Sequence, residues 1–91
     1  MAPGPEYQIE FTRPAAKSLE ELSEELQERI AAKLATLQTD PRPDGCEKLK
    51  GRKDQYRVRV GDYRIIYTIQ DDRLIILVLT IGNRRDIYWK R

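Results

Sequence analysis

Residues 55–67, QYRVRVGDYRIIY, decide the fold. The first arm alternates strictly, with Tyr56, Val58 and Val60 on one side and Gln55, Arg57 and Arg59 on the other. This is the period of a β-strand that buries one face. Gly61 and Asp62 suit a two-residue hairpin loop, because glycine at the first central position takes up the positive φ such a loop needs. The loop sets the register: Val60 opposes Tyr63, Arg59 opposes Arg64, Val58 opposes Ile65, and Arg57 stands beside Ile66. Two arginines directly across a strand pair repel one another. A hairpin that keeps Arg59 with Arg64 therefore predicts an anion between them.

Downstream, the second arm runs over residues 63–70, and Asp71 with Asp72 marks another turn. Residues 74–81 are almost continuously apolar and β-branched, as expected of a central strand covered on both faces, with Gly82 and Asn83 breaking it. Upstream, residues 47–54 carry Lys48, Lys50, Arg52 and Lys53 around Leu49 and Gly51. This is a phosphate-contacting pattern, although lysines kept for solubility look the same. Pro41 and Pro43 make residues 40–45 a loop.

Before that loop, Ala15, Leu19, Leu22, Leu26, Ile30, Leu34 and Leu37 recur at spacings of three and four, the apolar stripe of an amphipathic helix. Ser23 followed by Glu24 and Glu25 is itself a helix start, which favours two helices over one long one. Thr12 caps the first helix, and Pro14 is tolerated in its first turn, where backbone donors lack partners. Glu20, Glu21, Glu24, Glu25 and Glu28 form a solvated polar face. Tyr7, Ile9 and Phe11 alternate with polar residues as a short strand, at an edge or paired with a later strand, and residues 1–6 read as a loose lead-in.

This order predicts an α+β domain over residues 1–91: a small, mostly antiparallel sheet of one N-terminal strand plus a three-strand meander, with a helical hairpin packed on one face. Tyr56, Val58, Val60, Ile65 and Tyr67 face the helices. The other face carries an apolar patch of Ile66, Ile75 and Leu77 with a basic rim of Arg57, Arg59 and Arg64. Arg84 and Tyr88, past the last strand, are placed to reach that rim.

The composition narrows the chemistry. The 91 residues are 40% hydrophobic and 35% charged, which fits one soluble domain with a heavily charged surface. Residues 1–45 hold five Lys and Arg against nine Asp and Glu, while residues 46–91 hold twelve against six, so the second half is the candidate polyanion surface. The single Cys46 fits a reducing cytoplasm, and the absence of histidine argues against zinc. No signal peptide is visible, and the apolar run over residues 74–79 is far short of the roughly 20 residues that span a membrane. Without a histidine, a metal-spaced carboxylate set or a glycine-rich phosphate loop, no cofactor or metal is expected. Catalysis is then left to cations, tyrosines or scattered carboxylates.

The candidate site is Arg57, Arg59, Arg64 and Arg84 acting with Tyr88. Arginine is always charged and its planar fork matches a phosphodiester. Lys48, Lys50, Arg52, Lys53 and Arg85 are further phosphate contacts. Tyr88 and Trp89 are candidates to stack on splayed bases; for Trp89 the stronger reading is an aromatic that pins the tail to the core, while Tyr88 is assigned to function. Tyr63 and Tyr67 are assigned to packing, and Cys46 to no role.

Thr12 to Ala16 opening a helix, LKG at residues 49–51, YRVRVGDYRIIY at 56–67 and IGNRRDIY at 81–88 resemble the RelE/ParE toxin superfamily, specifically its RelE-like branch. The resemblance spans residues 7–88. It implies a toxin that enters the A site of the small ribosomal subunit and cuts mRNA there by attack of a ribose 2′-hydroxyl on the adjacent phosphate. A cognate antitoxin is implied as partner, with operator DNA reached only through the antitoxin complex. Arg57 and Arg59 fall where relatives carry active-site lysines, Arg64 on a phosphate-binding arginine, Arg84 on an arginine that stabilises the leaving group, and Tyr88 on a base-stacking tyrosine. Asn83 stands where many relatives have histidine, and Arg59 replaces a lysine proposed as general base. Two other readings stay open: a ParE-like poison of DNA gyrase, and a catalytically weak homologue acting as an antitoxin-binding or operator-binding module.

Overall fold

The structure, a computed structural model, describes residues 6–51 and 54–83. After strand β1 (Gln8–Phe11), the Thr12 hydroxyl accepts the amide of Ala15 and starts helix α1 (Arg13–Glu20), with Pro14 in the first turn. The Ser23 hydroxyl accepts the amide of Leu26 and starts α2 (Glu24–Thr39), so the stripe is two helices. Gln27 Nε2 donates to the carbonyls of Leu19 and Leu22 at 2.9 and 3.2 Å, holding the two together. β2 (Glu47–Lys48), β3 (Gln55–Val60), β4 (Tyr63–Gln70) and β5 (Ile75–Asn83) follow.

Among the described residues the sheet has five strands in the order β1-β5-β4-β3-β2, one more than the sequence pattern indicates. The addition is β2, whose two residues are too few to show a period. The hairpin register is as expected, with Arg59 opposite Arg64 and Val58 opposite Ile65. β1 lies at the edge and is the one parallel strand, pairing Gln8 with Ile75 and Phe11 with Val78. Gly61 has φ +59°, which completes the hairpin turn.

Two features of β5 differ from expectation. The strand is central in hydrogen bonding, yet Ile75, Leu77 and Leu79 are only half-buried, so it is not covered on both faces. It also continues through Gly82 and Asn83, which do not break it. Tyr67 pairs with Val78 and Ile66 with Thr80, leaving Leu79 as an extra residue in a β-bulge. The bulge restores alternation in a new phase: Ile81, and not Thr80, enters the core, and Gly82 comes to lie opposite Arg64.

The core lies between the helices and one sheet face. Ala15, Ile30, Leu34 and Leu37 pack there with Val58, Val60, Ile65, Tyr67, Ile69, Ile76, Val78 and Ile81. Tyr67 is wholly buried, its ring stacked 6.0 Å from that of Tyr56, and its hydroxyl donates to the Pro41 carbonyl at 2.8 Å. Burial pushes its phenol pKa up, with Cys46 beside it adding to the shift. No helix among the described residues is long and apolar enough to cross a membrane.

A polar clasp closes the end of the sheet away from the Gly61 turn. Arg42 pairs with Asp71 at 2.9 Å and lies 5.3 Å from the centre of the Tyr56 ring, while the Tyr7 hydroxyl donates to Asp71 at 2.6 Å. The Arg42 hydrogen bond, followed by that from Tyr7, holds the Asp71 carboxyl below its ordinary range. A carboxyl lowered by folding contributes stability above its unfolded pKa and loses it as pH falls through the folded value. Asp71→Asn is therefore expected to be less stable than the parent near neutral pH. Urea midpoints of the two proteins should converge as pH falls below the ordinary carboxylate range; a constant gap would rule out this linkage.

Candidate functional site

The face opposite the helices carries the arginines. Residues directly across a strand pair share a face, so Arg59 and Arg64 stand side by side, and alternation along β3 adds Arg57. Their surroundings differ. Arg59 is exposed and Arg57 half-buried, whereas Arg64 is only 6% exposed and is the one buried charged side chain among the described residues. Gly82 opposite Arg64 puts no side chain on that flank.

Glu47 is the residue that sequence reasoning missed. It pairs across β2 and β3 with Arg57, which places its carboxylate on the arginine face. Arg57 Nε donates to Glu47 Oε1 at 3.0 Å, and Arg57 Nη2 donates to the same oxygen. The carboxyl is held below its ordinary range first by the hydrogen bond and charge of Arg57, and further by Arg64 and Arg59. One anion on this face is thus built into the chain, at Arg57. The signal was faint: one Glu among lysines, on a strand of two residues.

Lys48, expected as a phosphate contact, lies apart from the arginines. Alternation along β2 puts it opposite Tyr56, on the helix side of the sheet and away from the arginine face. Lys50 is exposed in the turn that follows. Arg52, Lys53, Arg84, Arg85, Tyr88 and Trp89 lie outside the described residues. The structure therefore brings together Arg57, Arg59 and Arg64, with Glu47 among them.

Three guanidinium groups on an open sheet face suit a phosphodiester, since each offers a planar donor fork and none can lose its proton near neutral pH. Glu47 is a like charge to such a ligand and competes with it for Arg57. Glu47→Gln is expected to tighten binding of a non-cleavable 2′-O-methyl RNA oligonucleotide severalfold, read by fluorescence anisotropy at low salt. Weaker binding would mean instead that Glu47 is needed to hold Arg57 in place.

Residues 9–88 match the family model described as the ParE toxin of type II toxin–antitoxin systems. The chain belongs to this family. Within the wider RelE/ParE toxin superfamily its relatives carry RelE names. A RelE-like toxin protein of Escherichia coli is 34% identical over 86 residues, covering 90% of each chain. The archaeal RelE–RelB complex of Pyrococcus horikoshii superposes with TM-score 0.76 at 29% identity, over 86% of this chain and 94% of the other. The intact E. coli RelBE toxin–antitoxin complex gives 0.77 at 26% identity, over 85% and 95%. The chain is accordingly a RelBE-like type II toxin with the RelE α+β fold.

Proposed function

We propose that this toxin is an endoribonuclease that cuts mRNA in the ribosomal A site, restrained by a cognate antitoxin. The observation that carries the reading is the Arg59–Arg64 pair, in register across the hairpin with Arg57 beside it on the face the helices leave open. Solved relatives are complexes of RelE with RelB, which supports an antitoxin as partner here.

In the proposed reaction a ribose 2′-hydroxyl attacks the adjacent phosphorus, the bond to the 5′-oxygen breaks, and the products are a cyclic phosphate and a free 5′-hydroxyl. Charge grows on the non-bridging oxygens and on the leaving oxygen. Arg64, held in place by burial, and Arg59 beside it would stabilise that charge, with Arg84 assigned to the leaving oxygen and Tyr88 to stacking on a base. Arg59 cannot serve as base, because a guanidinium keeps its proton near neutral pH. Deprotonation of the hydroxyl is left to solvent or the ribosome.

The name of the matching family model favours a second reading, a ParE-like poison of DNA gyrase that works by binding alone. One experiment separates the two. Purified protein is added to translating ribosomes, and separately to gyrase with supercoiled DNA. Cleaved mRNA ending in a cyclic phosphate supports the nuclease. Intact mRNA with trapped gyrase complexes overturns it in favour of the poison, and inertness in both assays favours a degenerate toxin kept for antitoxin or operator binding.

A further inference from the structure

A second cationic feature lies around the edge of the sheet from the arginine face. β2 pairs only with Tyr56 and Arg57, so the outer edge of β3 beyond Arg57 is left uncovered by it. There the hairpin end and the middle of α2 enclose a shallow groove of about 450 Å³, lined by Arg29, Ala32, Lys33, Thr36, Arg59, Val60 and Gly61.

The groove is cationic by construction. Arg29 and Lys33 are four residues apart, hence on one face of α2. Arg29 also follows Glu25 by four, a spacing that allows a helical ion pair, yet no such pair forms. Its guanidinium lies over the turn instead, where a Cβ built on Gly61 would sit 3.3 Å from Arg29 Nη2. Among the described residues no carboxylate is within ion-pair distance of Arg29, Lys33 or Arg59. Glu24, Glu25 and Glu28 precede Arg29 on α2, so the helix presents carboxylates in its first turns and cations from Arg29 onward.

We propose that this groove is a second RNA-backbone site, holding phosphates beyond those on the arginine face, with Arg59 as the hinge between the two. The inference rests on the RNA-cleaving reading above. RNA is favoured over an acidic protein segment because Arg59 makes the groove continuous with the proposed phosphodiester site, so one strand can run from one to the other. The backbone could belong to the substrate strand or to ribosomal RNA, which share this chemistry.

The test compares the parent with Arg29→Ala/Lys33→Ala. Neither residue belongs to the hydrophobic core, and an unchanged urea midpoint confirms the fold. Binding of a short 2′-O-methyl RNA oligonucleotide, of small ribosomal subunits and of a polyglutamate peptide is followed over a salt series. Each single-strand phosphate contact contributes about 0.7 to the slope of log affinity against log salt. The double variant should therefore lose affinity about tenfold or more at low salt, with a slope shallower by about 1.4. Loss for the oligonucleotide assigns the groove to the substrate strand; loss for ribosomal subunits alone assigns it to ribosomal RNA. If the parent binds RNA and the double variant binds it equally, the groove proposal falls while the nuclease reading stands. Loss confined to polyglutamate overturns it in favour of an acidic protein. A parent that binds neither RNA nor ribosomes overturns both.

Discussion

Arg64→Ala is expected to lower single-turnover cleavage of ribosome-bound mRNA by about a hundredfold or more, the typical effect of removing one oriented donor to a developing negative charge, roughly 2.7–4 kcal/mol. Arg64 is the arginine for which this expectation is strongest. It sits 6% exposed in the middle of the sheet, with Arg59 on one neighbouring strand and Gly82 on the other, so its direction is set before any ligand arrives. Arg59 is exposed and pays more entropy to be ordered, which predicts a smaller loss for Arg59→Ala. Arg64→Lys keeps the charge but not the planar fork, and should recover only part of the rate. Because Arg64 is buried, the comparison requires that the variant still unfolds cooperatively. A well-folded Arg64→Ala protein cleaving near the parental rate would remove Arg64 from the proposed chemistry.

The largest expected change in stability comes from Tyr67→Ala. The side chain is wholly enclosed between the helices and the sheet, stacks on Tyr56 and donates to the Pro41 carbonyl. Emptying a site of this size costs about 3–5 kcal/mol, set against about 5–15 kcal/mol for a whole domain. The urea midpoint should fall sharply, and the variant should be marginal at physiological temperature. Tyr67→Phe keeps the ring and loses the hydroxyl with its bond to Pro41, which predicts a drop nearer 1 kcal/mol. Equal losses in the two variants would place the contribution of Tyr67 in that one hydrogen bond and not in the packing of its ring.

The hairpin was legible because two local signals agree: strict alternation in β3 and a glycine where the loop needs positive φ. The helix break was legible because Ser23 can do there what few residues can, accepting an amide at a helix start. What escaped was non-local or too short to show a period. Nothing in Tyr7, Ile9 and Phe11 says that their strand runs parallel to β5, since the choice depends on where the helices return the chain. The bulge at Leu79 is invisible in an unbroken apolar run, yet it decides that Ile81 is buried and Gly82 faces Arg64. In the site, the Arg59–Arg64 opposition followed from the loop alone. Glu47 and Lys48 could not be sorted, because a two-residue strand does not announce which side each residue takes. Counting charge by halves hid Arg29 and Lys33 in an acidic segment, although the fold carries them to the basic hairpin.

The parallel pairing of β1 with β5 has a consequence for biosynthesis. Gln8 pairs with Ile75, Thr12 donates its hydroxyl hydrogen to the Leu79 carbonyl 67 residues away, and Tyr7 reaches Asp71 across 64. A nascent chain thus carries its first strand with no strand to pair with until β5 has been translated. Loop closure over such a span is slow compared with local folding. A message broken before the codons of β5 yields a chain that lacks the strand between β1 and β4, and with it the flank that holds Arg64. Such a product carries the β3–β4 hairpin with its arginines but not the strand that flanks Arg64.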